Sequence, residues 1–336
     1  MPSALLSVLL STLERTLQGF GRLLWRVGLD RGVIRLRRRA VRVLLYHAVA
    51  PEEPEAIAGL HTCVSADAFR QQVEFLASRY NIVSLPQLLA ADCPDRALLL
   101  TFDDGYRCLA EHVLPLLRER GLPAVVFLVT DTLSGRPLWN DALHWHLRHG
   151  PDADRRALAD VVRADPATDA ASILSAAVEQ YPEREIRAML DGAPDAARAC
   201  DGLYLSWADV EAWSRAGITF GSHTHTHANL RQLDAGRLRE ELTRSRRIIA
   251  ERLGTCDAVA FPFGSGAARE CQFAADAGYR SVVQVWGSKD TLAPHHLTRL
   301  PVKTASVADL FATLELAGPL KAALSRWRRA PKRRDA

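Results

Sequence analysis

Two short segments carry residues whose types and spacing could do chemistry. "TFDDGY" (101–106) sets Asp103 beside Asp104, after the apolar run "RALLL" and before a glycine. "GSHTHTH" (221–227) spaces His223, His225 and His227 two residues apart. Two carboxylates at the end of a buried strand are costly unless they are paired, hydrogen-bonded or bound to a metal. The histidines are the partners such carboxylates need. In an extended segment all three would face one side, and in a helix residues four apart would do so. Either geometry lets His223 and His227 converge. Two imidazoles and one carboxylate, with positions left open for water, make a catalytic divalent-metal site. One aspartate can then be a ligand while its neighbour stays free as a base. The plainer alternative is a polar surface run of histidines and a carboxylate pair capping the next helix.

The flanking sequence indicates what positions these residues. "VRVLLYHAV" (41–49) reads as a buried strand, and "SADAFRQQVEFLASRY" (65–80) as a helix with Ser65 at its N-cap. A strand enters "NIVSLPQLLA", and "RALLLTFDDG" is the strand that ends on the aspartates. "CLAEHVLPLLRERG" reads as one helix, and "PAVVFLV" (123–129) as a strand. From about Gly135 to Ala199 the chain is rich in Ala, Asp and Arg, with helical patterning only, as expected of an insertion in a loop. The alternation then resumes with the helix "SWADVEAWSRAG" and "ITFGSHTHTHANL", a strand running into a polar loop. The helix "RLREELTRSRRIIAERLG", the strands "AVAFPFG" and "YRSVVQVWG", and a last strand in "HHLTRLPV" complete it. Such alternation predicts a parallel sheet or barrel, whose strand C-termini gather catalytic residues.

"TFDDGY" and "GSHTHTHANL" resemble the first two signature motifs of the polysaccharide deacetylases, carbohydrate esterases with the NodB homology domain. "LSWADVEAWSRAGITF" between them and "AFPFG" after them fall in the expected order. The resemblance runs from about Val41 to Val302, the insertion excluded. It implies an α/β fold, an irregular (β/α) barrel of the polysaccharide deacetylase type, with a metal at the C-terminal ends of its strands. Asp103 then matches the catalytic base, Asp104 the first metal ligand, and His223 and His227 the histidine ligands. His225 falls at a variable position. The implied cofactor is one divalent metal ion, zinc first, with cobalt, nickel or iron open. Phe263 stands where tyrosine is frequent, in a loop whose backbone helps to hold the oxyanion. The arginine often found before this proline motif is missing from "DAVAFPFG", and "QVWGSKD" matches the later motif only loosely. No clear Leu-x-His motif supplies the general acid. His295 and His296 are the nearest candidates, His296 being closer to the strand. His47 ends the first strand, where it could line the site or be structural.

The activity implied is hydrolysis of an N-acyl group, N-acetyl first, on an amino sugar of a polysaccharide or lipid-linked glycan. The alternative is a noncatalytic, metal-retaining glycan-binding relative. A phosphoesterase could use the same ligands, but further carboxylates or a phosphate-cradling glycine loop would be expected beside them. The composition, 48% hydrophobic and 24% charged, suits a globular domain, and the net charge of +4 excludes little. The cysteines, at 63, 93, 108, 200, 256 and 271, show no CxxC pairing, which fits core thiols better than a disulfide scaffold. Residues 1–39 form one expected unit, 40–310 the catalytic domain with its insertion at about 135–199, and 311–336 a helical basic tail. Leu6, Leu10, Leu13, Leu17, Phe20, Leu24 and Val27 recur at helical spacing, with arginines following at 31, 35, 37, 38 and 39. That stripe either packs on the domain or a second subunit, or lies on a membrane. The uncharged start, Met1 to Leu13, is too short to span a bilayer and lacks the marks of a signal peptide. The expected location is therefore cytoplasmic, with peripheral contact at the inner face of the membrane. The basic tail "RWRRAPKRR" lacks interleaved aromatics beyond Trp327, so no nucleic acid partner is expected.

Overall fold

The computed structural model describes residues 2–90, 93–264, 266–285 and 296–320, with side chains described from Thr12 onward. Ten strands are present among them. They are β1 (Arg42–Tyr46), β2 (Ala48–Ala50), β3 (Cys63–Ser65), β4 (Asn81–Ile82), β5 (Ala97–Phe102), β6 (Val125–Leu128), β7 (Thr219–Ser222), β8 (Ala258–Ala260), β9 (Ser281–Val285) and β10 (His296–Pro301). Seven of them close a parallel barrel in the order β1-β10-β9-β8-β7-β6-β5, with β5 returning to β1 from Arg42↔Leu98 to Tyr46↔Phe102. β4 extends the sheet beside the first residues of β5, and β2 and β3 form a separate parallel pair.

Side-chain alternation divides each barrel strand between two environments. Val43, Leu99, Val125, Phe127, Ala258, Ala260 and Val283 fill the barrel interior, with Leu297 packed against them. The alternate residues, Leu44, Leu98, Leu100, Val126, Val259, Val282 and Leu300, face the surrounding helices in the main core. The interior is narrow. A Cβ on Gly221 would lie 2.6 Å from the Phe127 ring, so β7 passes that ring only with glycine there.

Most predicted elements are present, with two local differences. The first strand breaks at His47, after which β2 pairs with β3. The single helix expected from "CLAEHVLPLLRERG" is two, Cys108–His112 and Leu114–Glu119. Pro115 explains the break, because it lacks an N–H and clashes with the carbonyl four residues back. Ser65 caps its helix as expected, accepting from the Ala68 N–H at 3.3 Å. The insertion between β6 and β7 is helical: Trp139–His149, Asp152–Val161, Ala170–Gln180, Glu183–Asp191 and Pro194–Ala199. It has its own apolar cluster, including Leu143, Leu158, Ile173 and Ile186.

The N-terminal helix, Pro2–Arg26, joins the domain through one face. The Trp25 ring lies 5.0 Å from Phe75 and 6.0 Å from Phe311, and Gly21 leaves no room for a Cβ against Ala312. Below it, Arg42 at the start of β1 is buried against Glu315, with Nε–Oε1 at 2.6 Å and Nη2–Oε2 at 2.8 Å. Tyr80 donates to the same carboxylate at 2.8 Å, and Arg37 at 3.0 Å. Removing one partner of such a pair leaves an uncompensated buried charge. Glu315→Ala should therefore lose about 3–5 kcal/mol, read as a lowered denaturation midpoint. Replacing Arg42 and Glu315 together by leucine should recover most of that loss.

Candidate active site

β5 and β7 deliver the two motifs to the C-terminal end of the barrel. Asp103 continues the inward row of Leu99 and Thr101, and its N–H donates to the Tyr46 carbonyl at 3.0 Å. Asp104 then turns left-handed (φ 69°), as does Gly105 (φ 68°), which redirects the second carboxylate. After β7, His223 is held by its N–H on the Leu128 carbonyl at 2.7 Å. Thr224 (φ 71°) and His227 (φ 59°) are also left-handed, so this loop is neither of the two geometries expected from spacing. In a strand His225 would share the face of its neighbours. Instead it turns away to Thr130, with Nδ1–Oγ1 at 2.8 Å, and towards Asp131 at 3.8 Å. Glu241, buried on the helix Ala235–Leu253, secures the loop by accepting from the N–H groups of His225 (3.0 Å) and Thr226 (2.9 Å).

His223 and His227 do converge. Their Nε2 atoms lie 3.6 and 3.5 Å from Asp104 Oδ1, and three ligand atoms of Asp104, His223 and His227 fall within 4.8 Å of one another. Each imidazole is aimed by its other nitrogen. His223 Nδ1 donates to the Ala260 carbonyl at 2.8 Å, and His227 Nδ1 donates to Asn140 Oδ1 at 2.8 Å. This fixes the tautomer that leaves each Nε2 lone pair facing the carboxylate. Asn140 in turn donates to Asp141 Oδ1 at 2.7 Å, and Tyr106 and Tyr204 both donate to Asp141 Oδ2 at 2.9 Å. Trp139 Nε1 donates to the His227 carbonyl at 2.9 Å. Phe263, itself left-handed (φ 57°), packs tilted against the His227 ring at 4.7 Å and meets Trp139 at 5.9 Å. The insertion is thus part of the site. Its contribution was missed because "WND" (139–141) sits in a segment whose helical pattern gives no sign of where its first turn docks.

Asp103 has a different partner. Arg299, from the middle of β10, grips it with two hydrogen bonds, Nη1–Oδ1 at 2.6 Å and Nη2–Oδ2 at 2.7 Å. Burial pushes this carboxyl up, but the Arg299 guanidinium and His223 outweigh it, and the group is lowered to about 2. The arginine missing from the proline-motif strand, β8, thus has a counterpart on β10, two strands away in the barrel. The signal for it was one arginine in the otherwise uncharged strand "HLTRLP".

Asp104 shows the opposite electrostatics. Burial, with the charges of Asp141 and Asp103, pushes its carboxyl well above the ordinary range. Its Oδ1 is buried without a hydrogen-bond partner. Burial lowers both His223 and His227, so each presents a neutral imidazole. An orphaned carboxylate oxygen facing two neutral, oriented imidazoles fits a divalent cation, and these three residues could hold one.

The expected acid, His296, is not brought to this cluster. It opens β10, at the end of the barrel opposite the site, and its alternation places it on the outer side from Arg299. His295 lies outside the described residues. His47, by contrast, follows β1 in the inward row of Val43 and Leu45 and is partly exposed at the mouth. Burial lowers it to about 4, against the pull of Asp103 and with the charges of Arg299 and His223 lowering it further.

The polysaccharide deacetylase family model matches residues 90–282. The chain belongs to the polysaccharide deacetylase family. These are hydrolases of carbon–nitrogen bonds. The fold is also that of solved deacetylase structures. A deacetylase of Streptococcus pyogenes, PplD in complex with acetate, is 18% identical over 82% of this chain and 98% of its own, with a TM-score of 0.55. IcaB from Ammonifex degensii is 18% identical over 82% and 97%, with a TM-score of 0.54. The polysaccharide deacetylase BC0361 from Bacillus cereus is 16% identical over 82% and 68%, with a TM-score of 0.53. No curated protein matches the chain.

Two expectations follow for the deacetylase. Asp104→Ala and His227→Ala should each lose bound divalent metal on purification, whereas Asp103→Asn should retain it, as measured by elemental analysis. Asn140→Ala frees the His227 ring to rotate and should weaken metal affinity by about 10–100-fold. Competition with a chelating dye measures that shift, and unchanged affinity would remove Asn140 from the site.

Proposed function

We propose that this deacetylase removes an N-acetyl group from an amino sugar of a glycan in a metal-dependent reaction, with zinc as the ion. The observation that carries the reading is the pairing of two differently treated aspartates. One is clamped and ionised by Arg299, and the other faces two neutral imidazoles. Asp104, His223 and His227 would hold the ion, which when bound polarises a carbonyl and lowers the pKa of water.

Asp103 acts as the base. Its depressed pKa keeps it ionised at neutral pH, and Arg299 fixes its direction. It takes a proton as water adds to the amide carbon. A backbone N–H beside Phe263 helps to hold the oxyanion that forms. The departing nitrogen must gain a proton as its bond to the acyl carbon breaks. His47 is the carrier in this reading, in place of His296: burial leaves it neutral at rest, so it relays to the nitrogen the proton that Asp103 takes from water. It adjoins Asp103 closely enough for each to shift the other's pKa, and it is partly open to the substrate side. The products are acetate and a free amine. A cavity of about 480 Å³ lies between the barrel loops and the insertion, lined by Trp139, Tyr181, Asp131, Arg136, Glu183 and Arg187. Aromatic faces with polar groups around them suit a neighbouring sugar ring.

The test is acetate release by metal-loaded protein from N-acetylated oligosaccharides and lipid-linked amino sugars. Asp103→Asn and His47→Gln should each lose about 10²–10⁴-fold in kcat with metal retained. Metal retention without acetate release from any N-acetylated glycan would favour the noncatalytic alternative. Arg299→Gln gives a pH signature. Without the guanidinium, burial dominates and the Asp103 carboxyl rises, so the acid limb of kcat/KM should move to higher pH. An unmoved limb would remove Asp103 as the group that limits activity in acid.

A further inference from the structure

The N-terminal helix has two apolar faces. Gly21, Leu24 and Trp25 turn inward, where Trp25 meets Phe75 and Phe311. Leu13, Phe20, Leu23 and Val27 are spaced seven, three and four residues apart, so they lie along a different face. That face is open to solvent, with Phe20 50%, Leu23 54% and Val27 59% exposed. Leu29 and Leu36, on the segment that follows, are 54% and 87% exposed. Burying large side chains is the ordinary gain of folding, so a row of exposed ones marks an interaction surface.

We propose that this face lies on an anionic lipid surface. Charge selects that occupant. Between residues 12 and 41 there are eight arginines and two acids, Glu14 and Asp30, and Asp30 is buried against Arg79. Arg15, Arg26, Arg31, Arg35 and Arg39 are all exposed. A second copy docked here would bring arginines against arginines, whereas anionic headgroups complement them. No helix among the described residues is long and apolar enough to cross a membrane, so the contact is interfacial. The stripe read from the sequence is thus divided: Leu24 packs on the domain, whereas Leu13, Phe20 and Val27 are exposed.

This proposal goes beyond the reading of the reaction and does not depend on it. The full chain is used, because removing the helix would uncover Phe75 and Phe311. Sedimentation is measured with phosphatidylcholine vesicles, with and without phosphatidylglycerol. The full chain should pellet with the anionic vesicles only. Phe20→Ser, Leu23→Ser and Val27→Ser combined should weaken that binding by about tenfold or more, since both apolar burial and basic charge are needed. Its unfolding midpoint and its acetate release from a soluble oligosaccharide should match the parent. A charge-reversed variant, Arg26→Glu with Arg31→Glu and Arg35→Glu, should lose the anionic preference. The proposal is overturned if the full chain stays in the supernatant with both vesicle types, or if the triple serine variant pellets like the parent. It is equally overturned if light scattering finds a dimer that the triple serine variant converts to monomer, since a second copy then covers the face.

Discussion

Asp103 and Asp104 are adjacent and buried, and like charges so placed cannot both remain ionised unless cations are at hand. The surrounding structure answers each separately. Arg299 reaches Asp103 from β10 with two hydrogen bonds, while Asp104 turns left-handed and meets two imidazoles. A single geometry could not serve both, since an arginine on Asp104 would take the place of an ion. The change in backbone hand between the two residues therefore separates the proposed base from the proposed ligand.

Satisfying Asp104 sets demands further out. The imidazoles must be neutral and aimed, so each needs an acceptor on its other nitrogen. β8 provides one through the Ala260 carbonyl, and the insertion provides the other through Asn140. Asn140 is held by Asp141, and Asp141 by two tyrosines that stack with rings 5.7 Å apart. Burial raises Asp141 to about 7, against the hydrogen bonds of Tyr204 and Tyr106. Helices that carry no ligand thus decide how one ligand points.

The barrel and the paired motifs were legible because both rest on local pattern: apolar runs with period two, and polar residues at strand ends. The same alternation could have placed His47 and Arg299 inward and His296 outward, given the register of each strand. Register is a tertiary property, set by which strands pair, and sequence spacing alone does not supply it. The path of "HTHTH" was misjudged for a related reason. Strand and helix were the geometries considered, and the loop adopts neither, because Glu241 and left-handed turns at Thr224 and His227 redirect it. Asn140 was unreadable, since nothing in a helical segment reveals which distant loop its first turn will meet.

The order in which the chain is made gives the Arg299 clamp another meaning. Asp103 leaves the ribosome 196 residues ahead of its counter-charge. Among the described strands β10 is the last to be synthesised, and it is the one that seals the barrel between β9 and β1. Until it docks, the apolar interior is open on one side and Asp103 lacks its guanidinium partner. Closure of the barrel and charge balance at Asp103 are therefore a single late event that depends on contacts very distant in sequence, a kind that forms slowly. A nascent chain stalled before β10 would carry both aspartates and both histidines yet lack the guanidinium that keeps the first aspartate ionised. If Asp103 is the base, as proposed, hydrolytic competence would thus arrive only with β10.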